Sequence, residues 1–241
     1  MEVLDVLKTV HDISVREAKH LRFNKKDPWI LYLVCLYASM IEMSSTIVLC
    51  IESKRRIGVP ILFRSLLEAY VDFKNLAADR SYLNHMQITW HKELLRALRA
   101  AKGGGNPYLS DIQRASNLDS EIRARSSELD RLRGKGCRSF SVAERFKKAG
   151  MVKEYDSLYA IMCGHTHSDI SGLIDRHIEI SGNDFIVVSY KDECLECFLP
   201  YIESTCEWVI HASQEVHKVL KTSREKVFDD MAQKLGNVRS S

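Results

Sequence analysis

The stretch of sequence that decides the fold is PILFRSLLEAYVDFKNLAAD, residues 60–79. It is strongly apolar, and Gly58 and Pro60 mark a break and a new helix N-terminus at its start. The whole chain holds only four prolines and eleven glycines among its 241 residues, which leaves room for long helices. We therefore predict a long helix here and further helices packed around it.

The segments on both sides of residues 60–79 are also predicted to be helical. Residues 2–23 carry apolar residues at helical spacing. Asp27 followed by Pro28 is a typical helix start, from which a second helix runs to about residue 56. Ser81 begins a predicted fourth helix that ends at the loop GGGNP, residues 103–107.

The second predicted helix raises the question of a membrane span. Residues 29–51, WILYLVCLYASMIEMSSTIVLCI, contain a single charged residue, Glu42, and the segment is long enough to cross a bilayer. A carboxylate in the middle of a membrane is costly, so we favour a helix that is apolar all round and buried in the bundle. A membrane attachment is not expected.

Residues 108–136 carry so many charges that we predict a solvated, projecting helical arm. Asp119 and Arg123, and likewise Glu121 and Arg125, stand four residues apart, where helical side chains form ion pairs. We expect the arm to dock a cognate protein partner or a second copy of the chain, as in a homo-oligomer.

The C-terminal part of the chain changes its periodicity once. Residues 176–191 form two short, alternating β-branched runs around Gly182, Asn183 and Asp184, which predicts a hairpin. A long final helix over about 192–235 and a flexible tail, 236–241, follow. The predicted fold class is mainly α: a multi-helix bundle with a projecting charged helical arm and one small β-hairpin, forming a single domain over residues 1–241.

Composition restricts the class of protein more than the function. Apolar residues make up 45% and charged residues 28% of the chain, which is ordinary for a globular protein. The net charge of +3 permits nucleic-acid binding without predicting it. Seven cysteines inside apolar runs, with no secretory signal at the N-terminus, favour a reducing cytoplasm.

The stretch YAIMCGHTHSDISG, residues 159–172, is the densest group of chemically active side chains. Its GHTH element resembles part of the calcineurin-like metallophosphoesterase signature. Those enzymes also need a preceding Gly-Asp-x-x-Asp element and a β-sandwich, and both are missing from this sequence, so we reject that assignment.

A zinc site is the second possibility for this stretch. Cys163, His165 and His167 are competent ligands, and Cys194 with Cys197 forms a Cys-x-x-Cys pair. A structural zinc site usually needs a second matched pair, and cysteines at helical spacing are more often small core residues. We therefore predict no metal and no cofactor.

Arg64 and Glu68 lie four residues apart, and therefore on one face of the helix at 60–79. Charges in such an apolar segment must be paired. The pair could be purely structural, or the carboxylate could hold the guanidinium ready for an anion such as a phosphate. A histidine from another helix would then complete an acid–base arrangement.

Three elements of the sequence resemble a bacterial family of helical proteins of unknown function: RSLLEAYVDFKNL (64–76), SVAERFKKAG (141–150) and YDSLYAIMCGHTHSDISG (155–172). Members carry an Arg-Ser-Leu-x-Glu helix and, about a hundred residues later, a Tyr-x-x-Leu-Ser-x-x-x-His-Pro-Ser-like element. The family in turn resembles the HEPN group, which includes ribonucleases and toxins of antiviral and toxin–antitoxin systems.

The resemblance implies a set of site residues. Arg64 and Glu68 match the first element, while Tyr159 and His167-Ser168 match the second. The chain departs from the pattern at Cys163, where serine is usual, and at Ser168, where proline is usual.

Two functions remain open at this point. In the first, the chain is a metal-independent ribonuclease or another phosphodiester-acting effector of bacterial defence or of a toxin–antitoxin system. Arg64 would then stabilise the phosphate, Glu68 would orient Arg64, and His167 would act as the acid or base, assisted by Tyr159 or His165. In the second, the chain is a non-catalytic binding or regulatory module, in which the same residues connect helices or hold a nucleotide-like ligand.

Overall fold

The computed structural model describes residues 3–55, 57–167, 169–182, 184–191 and 194–239, and it is mainly α-helical, as the sequence predicts. The helices of its N-terminal half are α1 (Val3–Ala18), α2 (Pro28–Glu52), α3 (Gly58–Ala78), α4 (Tyr82–Gly103), α5 (Ser110–Gln113) and α6 (Leu118–Gly134). A 3₁₀ turn at Pro107–Leu109 precedes α5.

The C-terminal half alternates short and long elements. In chain order they are α7 (Val142–Lys148), α8 (Val152–Glu154), a π-helical turn (Tyr155–Tyr159), α9 (Ala160–His167), α10 (Ile170–His177), β1 (Ile178–Ser181), β2 (Asp184–Val187), a 3₁₀ turn (Leu195–Phe198), α11 (Leu199–Val219), a second 3₁₀ turn (Glu225–Phe228) and α12 (Asp229–Arg239). The predicted helix start at Asp27 is confirmed, and a capping box begins α7. Asp27 accepts a hydrogen bond from the Trp29 amide, and Ser141 and Glu144 each accept from the other's backbone amide.

The predicted hairpin is confirmed. Strands β1 and β2 pair in antiparallel register, with Ile178 opposite Val187 and Ser181 opposite Asp184. Asn183, which the sequence assigned to the turn, lies outside the described residues.

The chain divides into two compact units, residues 1–78 with 146–241 and residues 79–145. In the first unit α3 packs against α2, α9 and α11. Phe63 on α3 lies edge-on to Tyr201 at 5.0 Å and stacks on Trp208 at 5.1 Å between ring centroids, and both partners belong to α11. These aromatic contacts fix one face of α3 in the core, and Arg64 and Glu68 lie beside this face, half-buried.

A polar network connects the helices of the first unit. The Tyr37 hydroxyl of α2 lies 2.9 Å from the Ser213 hydroxyl of α11, which lies 3.2 Å from Ser14 of α1. All three side chains are buried, and burial raises the pKa of the Tyr37 hydroxyl above its ordinary value. Each hydroxyl therefore finds its hydrogen-bond partner inside the protein.

The prediction that the second helix is buried all round is wrong. One face of α2 packs against α1, α3 and α11, while Leu31, Tyr32 and Leu49 on another face are exposed. Within the described residues, α2 is long and apolar enough to cross a membrane, and 39% of its most apolar window is buried. Core helices share this length and composition with membrane spans, so these two properties do not discriminate between them.

The second unit is built on a helical hairpin of α4 and α6. Ile88 and Leu95 of α4 pack against Leu129 and Leu132 of α6, and all four are buried. The predicted Glu121–Arg125 ion pair is present at 3.1 Å, whereas Asp119 pairs with Lys102 of α4 at 2.7 Å. The charged segment 108–136 therefore contributes one helix of this hairpin through its thin apolar stripe.

The single long helix predicted for residues 192–235 is wrong. Helix α11 ends at Val219, and a turn with positive φ at Lys221 (51°) and Ser223 (58°) separates it from α12. In this turn, the Thr222 amide donates to the His217 carbonyl, which caps the end of α11. Helix α12 continues to Arg239, into the segment that the sequence assigned to a tail.

Candidate functional site

The Arg64–Glu68 pair is present on α3, as its spacing predicts. Arg64 Nε lies 3.4 Å from Glu68 Oε1, and the two side chains are 15% and 30% exposed. The contact falls outside good hydrogen-bond geometry at Nε, so we describe it as an ion pair. Because Phe63 anchors the adjacent face of α3 in the core, Arg64 is presented towards α9.

Tyr159 holds Arg64 from a second side. Arg64 Nη2 donates a 2.9 Å hydrogen bond to the Tyr159 hydroxyl, and the guanidinium carbon lies 4.9 Å from the centroid of the tyrosine ring. Tyr159 is buried, and its ring packs on Phe146 at 5.1 Å and on Tyr155 at 5.5 Å. It ends the π-helical turn, a type of irregularity that occurs frequently at functional sites.

His167 completes the group from the end of α9. Its Nε2 lies 3.3 Å from Arg64 Nη1, across 103 residues of sequence. A guanidinium can only donate hydrogen bonds, so Nε2 is the acceptor in this contact and the imidazole is neutral in it. Arg64 is half-buried and His167 is exposed. The imidazole is therefore accessible from solvent, while the guanidinium lies deeper in the protein.

The electrostatics keep Arg64 charged and Tyr159 neutral. Burial lowers the pKa of Arg64, but the hydrogen bond to Tyr159 and the nearby Glu68 carboxylate outweigh burial, so the pKa is raised. Burial raises the pKa of the Tyr159 hydroxyl, and Glu68 adds to this effect while Arg64 opposes it. The site therefore offers a fixed cation beside a solvent-accessible imidazole.

Two glycines place α9 and α10 in close contact. A Cβ atom on Gly172 would lie 2.7 Å from the Gly164 carbonyl oxygen, and a Cβ on Gly164 would lie 2.7 Å from a carboxylate oxygen of Asp169. Asp169 in turn accepts a 2.8 Å hydrogen bond from the Gly172 amide and begins α10. This crossing fixes the end of α9, where His167 lies. The two glycines are the only signal of the crossing in the sequence.

His165 is not brought to Arg64. Its Nε2 lies 3.9 Å from Asp175 of α10, and its Nδ1 is buried without a hydrogen-bond partner in the described part of the chain. Arg64, Glu68, Tyr159 and His167 therefore form one group, which we call the Arg64 cluster, and His165 lies beside a separate cavity. Ser168, the neighbour that the family pattern included, lies outside the described residues.

The cavity at His165, of about 660 Å³, is a feature that the sequence did not predict. Its described lining comes from four separate segments and includes Lys54, Arg55, Arg176, Lys191, Cys194 and Cys197. Cys194 and Cys197 are exposed, so the interpretation of these cysteines as core residues is wrong. Within the described residues, no group of three or more histidine, cysteine, aspartate or glutamate side chains is arranged to hold a metal ion.

The fold and the cluster together define a mainly helical protein with a cationic, histidine-bearing site formed by α3, the π-helical turn and α9. The chain belongs to a family of unknown function, DUF5677, whose model matches residues 31–186. All four members of the Arg64 cluster lie within the matched region. No curated protein and no solved structure matches the chain. Membership in this family implies neither an activity nor a relationship to HEPN proteins.

Proposed function

We propose that the chain is a metal-independent ribonuclease that acts at the Arg64 cluster. The observation that carries the proposal is the 3.3 Å contact between the Arg64 guanidinium and the solvent-accessible imidazole of His167. A cation fixed by Glu68 and Tyr159 is suited to a phosphate, and an adjacent neutral imidazole is suited to accept a proton.

The chemistry needs only these groups, water and the RNA itself. The substrate phosphate replaces the imidazole as the acceptor at Arg64 Nη1, which frees the lone pair of His167 Nε2. His167 Nε2 then removes the proton from a ribose 2′-hydroxyl, whose oxygen attacks the neighbouring phosphorus. Arg64 neutralises the charge that develops on the phosphate oxygens, and Glu68 and Tyr159 keep the guanidinium in place. The 5′-oxygen leaves and takes a proton from water, which gives a 2′,3′-cyclic phosphate and a 5′-hydroxyl.

A second function has an observation of its own. Arg64 is already contacted inside the protein on all three nitrogens, by Glu68 at Nε, by His167 at Nη1 and by Tyr159 at Nη2. A cation contacted on all three nitrogens also suits a structural tie between α3 and α9 in a non-catalytic binding or regulatory module. The two functions predict different results when the imidazole of His167 is removed: only the ribonuclease would lose an activity.

The test is RNA cleavage by purified chain in the presence of a metal chelator, comparing wild type, His167→Ala and the matched control His165→Ala. We expect wild type and His165→Ala to cleave RNA, with activity at least about 100-fold lower for His167→Ala, because a general acid–base group contributes about 10²–10⁴-fold. Circular dichroism establishes that each variant is folded. Substrate with 2′-deoxyribose at every position should resist cleavage.

Two results would contradict the ribonuclease. Intact RNA with folded wild-type protein would favour the non-catalytic module. Equal loss of activity in His167→Ala and His165→Ala would remove the Arg64 cluster from the catalytic role.

A further inference from the structure

Cys194 and Cys197 form a close pair of thiols at the beginning of the C-terminal helical region. Their sulfur atoms lie 3.0 Å apart, in an S–H···S contact in which either atom could be the donor. The first precedes the 3₁₀ turn at Leu195–Phe198 and the second lies within it, and both side chains are exposed. Two accessible thiols in contact can be joined by a disulfide after a small movement.

The pair opens into the cavity of about 660 Å³ described above, a volume within the range of small-molecule sites. The described lining includes four cationic side chains, Lys54, Arg55, Arg176 and Lys191, and a single carboxylate, Asp175. Arg55 is placed over the Tyr190 ring, 5.0 Å from its centroid. The described wall is therefore predominantly basic and suits a ligand that carries carboxylates.

The basic wall is held by contacts among its own segments. Lys191 Nζ donates a 2.8 Å hydrogen bond to the Asp175 carbonyl, and Arg176 Nε donates a 2.9 Å bond to the Gly172 carbonyl. The bond of Lys191 uses one of the three donors of its ammonium. Thiols and cations therefore face the same space.

We propose that Cys194 and Cys197 are a redox-active dithiol that exchanges with a low-molecular-weight, carboxylate-bearing disulfide bound in this cavity. Oxidised glutathione is the probe of that chemical class. The proposal is independent of the Arg64 cluster and of ribonuclease activity, since the cluster and the cavity use different side chains.

The exchange balances in two steps. One cysteine, as its thiolate, attacks a sulfur of the bound disulfide, forms a mixed disulfide and releases one glutathione, which takes up the cysteine's proton. The second cysteine then attacks the protein sulfur of the mixed disulfide, forms the Cys194–Cys197 bond and releases the second glutathione as a thiol. The dithiol loses two electrons and two protons, and one small disulfide becomes two thiols.

The first experiment equilibrates the reduced full-length chain with a series of reduced-to-oxidised glutathione ratios. We expect two thiols per chain to be lost together, with peptide mapping joining Cys194 to Cys197. Cys194→Ser should not form this link and should instead retain one glutathione on Cys197, because the resolving thiol is missing. Cys35→Ser, which removes an exposed cysteine of α2, should oxidise like wild type.

The second experiment tests recognition by charge at low salt. Lys54→Gln combined with Arg55→Gln should slow oxidation by oxidised glutathione by roughly threefold or more, with no change for the neutral disulfide of 2-mercaptoethanol. Glutathione on exposed cysteines without a Cys194–Cys197 link, or no oxidation at any ratio, would overturn the dithiol. An equal effect of the double variant on both disulfides would overturn the carboxylate-binding cavity.

Discussion

Arg64 is contacted by residues of three segments: its own helix, the π-helical turn and the end of α9. Its pairing with Glu68 was predictable because residues four apart share one face of a helix. Its contact with His167 spans 103 residues, and no local pattern in the sequence encodes such a distance. The family resemblance singled out His167, the histidine of GHTH that contacts Arg64, whereas the residues themselves left His165 and His167 equivalent.

At this scale we expect Tyr159→Phe to destabilise the protein by about 1.5–3 kcal/mol, the contribution of a hydrogen bond to a charged group. The substitution keeps the ring packed on Phe146 but removes the acceptor for Arg64 Nη2, which is largely shielded from water. Urea unfolding measures the effect. The control is Tyr155→Phe, which keeps the neighbouring stacked ring and should change stability by less than about 0.5 kcal/mol. Equal losses in both variants would contradict the hydrogen bond as the cause.

The elements that build the site were predicted more accurately in type than in length. The start of α2 and the hairpin follow from local signals, a capping carboxylate and alternating β-branched residues, and both are found. The break between α11 and α12 was missed because the turn at 220–224 uses lysine and serine at positive φ, where no glycine or proline marks it. The α9–α10 crossing was missed for a related reason. Gly164 and Gly172 allow the two helices to approach closely, but a glycine in the sequence does not show which helix will pack against it.

The crossing gives a prediction at the scale of elements. In Gly172→Ala the new Cβ would meet the Gly164 carbonyl at 2.7 Å, so α9 and α10 must separate, at a cost of about 1–3 kcal/mol. Because His167 ends α9, the RNA cleavage that we propose for this site should fall more than the loss of folded protein explains. Thermal unfolding and cleavage assays on the same samples provide both quantities.

Gly236→Ala is the matched control, because its new Cβ would have no neighbour within 4 Å on α12. It should stabilise the helix by about 0.5–1 kcal/mol and leave cleavage unchanged. A Gly172→Ala variant as stable as wild type would show that the two helices do not need this close contact.

At the scale of the whole molecule, each of the two compact units has a core of its own, and Glu17 connects distant parts of the first. This buried carboxylate of α1 accepts 2.8 Å hydrogen bonds from Arg16 and from Arg224, which lies 207 residues away. The mainly helical class was predictable from periodicity and scarce proline. The Glu17–Arg224 contact was not, because it depends on the unpredicted turn after α11.

Glu17 makes the stability of the protein depend on pH. Burial raises its pKa, but the hydrogen bonds from Arg16 and Arg224 outweigh burial and hold the pKa below the ordinary value of 4.5. A carboxylate whose pKa is lowered on folding adds stability above about pH 4.5, and this contribution disappears as the pH falls through the folded-state value. Glu17→Gln should therefore cost about 1–3 kcal/mol at pH 7 and progressively less at acid pH.

Urea unfolding of wild type and Glu17→Gln between about pH 3 and 7 measures this dependence. The magnitude should lie towards the lower end of the range, since both arginines remain partly in solvent. Glu42→Gln, which removes an exposed carboxylate of α2, is the control and should change stability by less than about 0.5 kcal/mol. A constant difference between wild type and Glu17→Gln across the range would contradict the role of ionisation.

The π-helical turn at Tyr155–Tyr159 has a consequence for how this family can vary in length. A π turn accommodates one residue more than an α turn, so deletion of one residue would let α8 and α9 run on as a regular helix. One residue corresponds to about 100° of rotation about the helix axis, which would carry the preceding aromatic side chains away from their present neighbours. Relatives with a one-residue gap before the position of Tyr159 should thus lack the packing of the Tyr155 ring on the Tyr159 ring, even where both residue types are retained. A gap in an alignment would then separate members that support this tyrosine from the preceding turn from members that do not.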